Sequence, residues 1–227
     1  MATDTTSQPT PKTALEAREL AVARGGRPVF AGVAFSLRGG DALRLAGRNG
    51  GGKTSLLRVL AGLGSPLDGA VLWSGRPIDE DREAHGRRVA FLAHADALKP
   101  SLTARENTVA ALRVAGRSTD AVDAAFAALG IEHLADVPAG WLSAGQRRRT
   151  ALVRVLASDA VLWLLDEPTV GLDAVSVAAL EHAIVTHRQA GGIVVAATHV
   201  ALDLGAAADN LDPAAFSHGL RTRGARA

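Results

Sequence analysis

Three short stretches of this chain place chemically capable residues at fixed spacings. "GRNGGGKT", residues 47–54, satisfies GxxxxGK[ST], with Gly47, Gly52, Lys53 and Thr54 at the required positions. Small residues let successive backbone N–H groups curl around phosphate oxygens. The ammonium of Lys53 neutralises the terminal phosphates, the hydroxyl of Thr54 reaches a divalent cation, and the following helix adds its dipole. A purely structural glycine turn would give no reason for Lys-Thr at this point. "AVLWLLDEP", residues 160–168, is an apolar run that ends in two acids. Asp166, just past the strand, is placed to hold Mg²⁺ through water and Glu167 to polarise an attacking water. Paired acids alone often do no more than cap a strand in solvent; a phosphate loop in the same chain favours chemistry. "AATHV" ends a further apolar run with Thr198 and His199, which suits a sensor of a terminal phosphate.

A fourth stretch, "WLSAGQRRRTALVRVL", opens a helical pattern with Ser143, Ala144, Gly145 and Gln146. A hydroxyl, free amides and a helix dipole at one point make an anion site. Taken alone, the same residues read as an N-cap on an amphipathic helix with Leu152, Val155 and Leu156 inward. The phosphate loop already serves its own nucleotide, so a second such site makes sense if it closes over a nucleotide held by another copy.

These residues need elements to hold them. From about Leu15 to Ile78, alternation such as Val33, Phe35 and Leu37 with a turn at Gly39 and Gly40 predicts antiparallel hairpins, and "GAVLWSGRPI" adds a strand and turn. "DALRLAG" feeds the glycine loop. A helix follows, with Leu56, Leu60 and Leu63 on one stripe, stopped by Gly64 and Pro66. A helical insert is expected over about 103–140, opened by a Thr103–Glu106 capping box and carrying Val122, Phe126 and Leu129 on one face. Continuous apolar strands then alternate with helices, including one with Val177, Leu180 and Ile184, which predicts a parallel sheet covered on both faces.

Composition narrows the class. The chain has 227 residues, 48% hydrophobic and 21% charged, which is enough for one α/β domain over 13–227 behind a disordered leader, 1–12. Its formal charge is only +2, and the basic residues are scattered apart from Arg147 to Arg149 and the tail, so no nucleic-acid partner is expected. With no cysteine there is no disulfide framework, thiolate metal site or thiol nucleophile. No apolar run approaches the roughly 20 residues that cross a bilayer, so other chains must do any spanning.

In order and spacing, from about Leu15 to His199, these motifs resemble the nucleotide-binding subunits of ABC transporters. "LSAGQ" stands where that family has LSGGQ, "LLDEPTVGLD" resembles its Walker B motif and D-loop with Asp173 in the D-loop position, and "THV" resembles its H-loop. The resemblance implies an α/β P-loop NTPase of ABC ATPase type, with a parallel sheet core, an N-terminal antiparallel β subdomain and an inserted helical subdomain. It implies ATP and Mg²⁺ as cofactors. ATP falls to Gly47, Arg48, Asn49, Gly50, Gly51, Gly52, Lys53, Thr54 and Ser55, and the metal to Thr54 and Asp166. It also implies a head-to-tail homodimer in which Ser143 to Gln146 reach the partner's ATP, with Glu167 and His199 catalytic. Two positions depart from the pattern. His94 stands where the family has the Q-loop glutamine, leaving a neutral imidazole as the candidate metal contact, and Arg24 falls where an aromatic residue stacks on adenine.

His94, "LSAGQRRR", "LWLLDEP" and "GGIVVAATH" in so short a chain are similar to the ATPase subunits of the cytochrome c maturation system, described as haem exporters. That implies CcmB-like and CcmC-like integral membrane partners, release of haem-loaded CcmE, and a peripheral position on the cytoplasmic face of the bacterial inner membrane. A groove beside the His94 loop, with Lys99 and Arg105, would receive the membrane partner. No direct haem binding is expected, because no CxxCH or shared histidine motif is present. An ABC exporter of another cargo remains open, as does, further off, a soluble ABC ATPase.

Overall fold

The computed structural model describes residues 14–25, 27–206 and 208–219. The expected leader, 1–12, lies outside the described residues.

Strands β1 (Leu15–Arg24) and β2 (Arg27–Leu37) pair antiparallel, Leu15 opposite Leu37 and Ala17 opposite Phe35. With β4 (Asp68–Trp73) and β5 (Arg76–Pro77) they make a four-stranded sheet in the order β2-β1-β4-β5. The second sheet is parallel. It contains β3 (Ala42–Leu45), β6 (Val89–Leu92), β7 (Leu162–Asp166), β8 (Ile193–Ala197) and β9 (Ala208–Leu211), in the order β6-β7-β8-β3-β9. Every residue of β7 and β8 is buried, as expected of strands covered on both faces.

Alternate residues of these strands feed different cores, as the two-residue period requires. Leu162, Leu164, Ile193 and Val195 meet the antiparallel sheet and helix α1 (Lys53–Leu60). Trp163, Leu165, Val194 and Ala196 meet the other layer, built from α5 (Ala144–Leu156), α6 (Ala174–Gln189) and the helical insert. A short helix α2 (Arg82–Arg88) leads into β6. The insert carries α3 (Ala104–Val114) and α4 (Val122–Ala128) and is closed at its base by a bridge between Thr103 and Pro138. The Thr103–Glu106 capping box is formed in both directions, and Val122, Phe126 and Leu129 are buried.

Three sequence expectations shift. Helix α1 ends at Leu60, because the chain reverses at Gly62 (φ 72°), and Leu63 is 57% exposed instead of completing the buried stripe. On the outer edges of their helices, Leu156 and Val177 are only half-buried. Asp166 is the last residue of β7, paired with Ala197, not the first residue beyond the strand.

Candidate functional site

Parallel strands end on one edge, and the sheet order decides which loops become neighbours there. Passing along that edge, β6 delivers the His94 loop, β7 Asp166 and Glu167, β8 Thr198 and His199, β3 the glycine loop and β9 Asp212. Residues up to 175 positions apart in sequence thus share one cavity of about 280 Å³, lined by Arg24, Asn49 to Ser55, His94, Glu167 and His199 among others.

The glycine loop needs its glycines. Gly47 and Gly52 hold φ values of 101° and 97°, in the left-handed region. A Cβ on Gly47 would run into the carboxylate of Asp212, and one on Gly52 would lie 2.9 Å from Val29 Cγ1. Gly52 caps α1 without any side-chain hydrogen bond, so the first amides of the helix face the cavity uncovered. Gly47 and Arg48 lie outside the cavity lining and act through their carbonyls, which accept from Lys53 Nζ at 2.6 and 3.4 Å. Lys53 is 6% exposed, and among the described residues its ammonium meets carbonyls but no carboxylate. A buried cation held this way fits an anionic ligand.

Across the cavity, Thr54 Oγ1 donates to Asp166 Oδ2 at 2.9 Å. Burial pushes the Asp166 carboxyl above its usual range, and the bond from Thr54 opposes that shift. Two hard oxygens from a hydroxyl and a carboxyl suit Mg²⁺, which keeps most of its water and takes few protein ligands, so the residues fit the metal that the resemblance implies. Glu167 follows with φ 47°, an uncommon conformation for a residue with a side chain, and its N–H donates to Ala197 O at 2.8 Å. That turn brings Glu167 Oε2 to 2.8 Å from His199 Nδ1. His199 is itself set by Thr198, whose hydroxyl bonds both the N–H and the carbonyl of Val200 at 3.1 Å.

Ser143, Ala144, Gly145 and Gln146 are not in this cavity. Their polar groups form a closed capping box: Ser143 Oγ accepts from the Gln146 N–H at 3.3 Å, and Gln146 Oε1 accepts from the Ser143 N–H at 2.8 Å. Gly145 lies against the D-loop, where an added Cβ would sit 2.5 Å from Gly171 O. Asp173 caps α6 by accepting from Ser176 N–H at 2.8 Å, and the Ser176 side chain together with this N–H holds its carboxyl below the usual range. Arg105 is half exposed on the insert, where it pairs with the exposed Asp123 and Asp136.

One buried residue escaped the sequence reading. Arg148 is 4% exposed and reaches toward Asp166, Glu167 and the His94 loop. In sequence it belongs to the run Arg147 to Arg149, yet it lies on the inward stripe with Leu152 and Val155, and that spacing is the available signal.

The glycine loop at a strand-to-helix turn, the acids at the end of β7 and the remote Ser-Ala-Gly-Gln cap define a nucleotide-binding P-loop protein of the ABC type. The family model described as ABC transporter matches residues 30–170. The fold is shared with a putative ABC transporter ATP-binding protein from Pyrococcus furiosus, at TM-score 0.78 and 24% identity over 90% of this chain and 100% of the other. The chain belongs to the ABC transporter family and, within it, to the CcmA group. It is 50% identical to the cytochrome c biogenesis ATP-binding export protein CcmA of Paramagnetospirillum magneticum over 83% of this chain and 88% of that protein. It is 48% identical to the protein of the same name from Rhodospirillum rubrum, over 80% and 78%.

Proposed function

We propose that this chain is the ATP-hydrolysing subunit of an ABC exporter serving cytochrome c biogenesis. It would work as a homodimer on the cytoplasmic face of the inner membrane, bound to CcmB-like and CcmC-like membrane subunits. The CcmA relatives support the process, and no described helix is long and apolar enough to cross a membrane. The observation that carries the chemistry is the Glu167–His199 pair, 2.8 Å apart on the wall of a cavity whose floor is the glycine loop.

The steps follow from the side chains. ATP places its phosphates on the amides of residues 49 to 55, and Lys53 releases Gly47 O and Arg48 O to meet the terminal phosphates. Arg24, exposed at the cavity rim, offers a flat guanidinium to the base. Thr54 and Asp166 would hold Mg²⁺, which when bound neutralises charge on the β- and γ-phosphate oxygens. Glu167 accepts a proton from water as the water attacks the γ-phosphorus in line, the bond from γ-phosphorus to the β,γ-bridging oxygen breaks and ADP leaves, while His199 holds the Glu167 carboxylate and contacts the γ-phosphate. His94 lines the same wall and is our candidate for contact with the metal's water.

Each chain then has a full phosphate loop and a cap that points elsewhere. In a head-to-tail pair, the Ser143 hydroxyl hydrogen and the first amides of α5 would reach the partner's γ-phosphate. Glu167→Gln tests the reading. Phosphate release should fall by about 10² to 10⁴, the usual worth of a general base. ATP binding should persist and accumulate a dimer visible by light scattering. A variant that hydrolyses ATP at the wild-type rate removes Glu167 from this role.

A further inference from the structure

Arg148 donates from one guanidinium to two separate segments of the site, the end of β7 and the His94 loop. Nη2 bonds Asp166 O at 2.6 Å and Glu167 O at 2.8 Å, while Nη1 bonds Ala93 O at 2.8 Å and Asp96 Oδ1 at 3.0 Å. A second arginine of the same helix, Arg154, bonds Asp96 O at 2.8 Å, so α5 grips the His94 loop twice. Burying a guanidinium this deeply is costly, and Asp96 is its one ion-pair partner among the described residues. Packing alone gives no reason to hold a charge here, because Leu152 and Val155 already supply the apolar stripe. The carbonyls it holds belong to the two acids at the end of β7, and the second of them carries the left-handed backbone that aims its carboxylate at His199.

We propose that Arg148 is a positioning residue: it fixes the Asp166–Glu167 peptide so that the Glu167 carboxylate faces the attacking water, and it makes that aim depend on the pose of α5 and the His94 loop. The inference rests on the proposed role of Glu167. Arg148 sits five residues beyond Ser143 on the same helix, so a displacement of the α5 start on meeting a second copy is passed to the acids through one planar side chain. Ammonium cannot replace it, since three donors radiating from one nitrogen cannot span Ala93 O, Asp166 O and Glu167 O as the two separate nitrogens Nη1 and Nη2 do.

The test uses the full chain with Arg148→Lys, Arg148→Ala and Asp96→Asn, measuring ATP binding, steady-state hydrolysis and thermal midpoint. Arg148→Lys should bind ATP within about threefold of wild type and lose about 10² in kcat, the scale of a small misplacement of a reacting group. Free guanidinium at millimolar concentration should restore part of the kcat of Arg148→Ala, and methylammonium should not. Asp96→Asn, which leaves the β7 carbonyls held, should lose less than about tenfold in kcat with KM unchanged, and it keeps the test alive if the Arg148 variants fold poorly. Wild-type kcat in Arg148→Lys overturns the proposal. So does a parallel fall of ATP affinity, kcat and thermal midpoint in Arg148→Lys and Asp96→Asn, which would mark a merely structural arginine. If Glu167→Gln hydrolyses ATP normally, the underlying reading of Glu167 fails instead; if Glu167→Gln is inactive and Arg148→Lys is not, only this inference fails.

Discussion

Helices α1 and α5 both begin on small and polar residues, yet their first turns are finished in opposite ways. Gly52 caps α1 from a left-handed backbone with no side-chain bond, leaving the amides to a ligand and the buried Lys53 to carbonyls alone. Ser143 and Gln146 close the start of α5 on themselves and stand outside the cavity. An open end beside an unpaired cation is an anion site within one chain. A closed end is stable without ligand, and it can serve a phosphate only by offering what the box leaves over: the Ser143 hydroxyl hydrogen and the Ala144 and Gly145 amides. The contrast is the basis on which we propose ATP capture for one helix start and dimer closure for the other.

The largest effect should come from removing the cation that marks the open end. Lys53→Ala deletes a charge-assisted contact of about 1.5–3 kcal/mol, so ATP affinity should fall by about 10- to 100-fold in equilibrium binding. Ser143→Ala should leave the affinity of the dilute monomer unchanged. Equal losses in the two variants would erase the distinction between the two helix starts.

Glycine substitution sharpens it further. Gly47→Ala must strain a backbone at φ 101° and displace Asp212, so a loss of about 1–3 kcal/mol in denaturant titration is expected, together with weakened ATP binding. Gly145→Ala meets Gly171 O instead, and should leave ATP binding by the monomer intact while disturbing the D-loop and the ATP-driven dimer of Glu167→Gln. Ser143→Ala should itself cost about 0.5–2 kcal/mol as a lost cap. Trp141, 82% exposed two residues before Ser143, offers an intrinsic fluorescence signal for movement of that end.

The open end was legible in sequence because its chemistry is local: eight consecutive residues contain the glycines, the lysine and the threonine. The parallel core was legible for the same reason, since "VLWLL" and "IVVAA" are apolar without interruption. What stayed hidden depends on distant partners. Asp212 is 165 positions from the Gly47 it abuts, and Arg148 finds its partners 18 to 55 positions away. Leu63 failed for a different reason: helical spacing continued after the helix had stopped, and the reversal at Gly62 outranked periodicity.

Two histidines, the buried His85 and the half-buried His187, give the smallest expected effect. His85 Nε2 meets Leu60 O at 2.8 Å at the end of α1, and no partner is found for its Nδ1 among the described residues. His187 of α6 stacks on Trp163 of β7 with ring centroids 4.0 Å apart and 7° between planes. Burial pushes both imidazoles below the ordinary histidine value, because a second proton would leave a buried N–H without an acceptor. The unfolded chain therefore binds more protons than the folded one, so stability is complete above about pH 6.5 and is lost progressively as pH falls below it. Thermal midpoints taken from about pH 8 to 5.5 should decline, and His187→Phe should flatten the slope while keeping the ring stack. If the two ends share one cooperative fold, the Trp141 signal and ATP binding should fail at the same acid midpoint. Separate midpoints would mean that the open end and the closed end unfold independently, and that a strut such as Arg148 does not couple them.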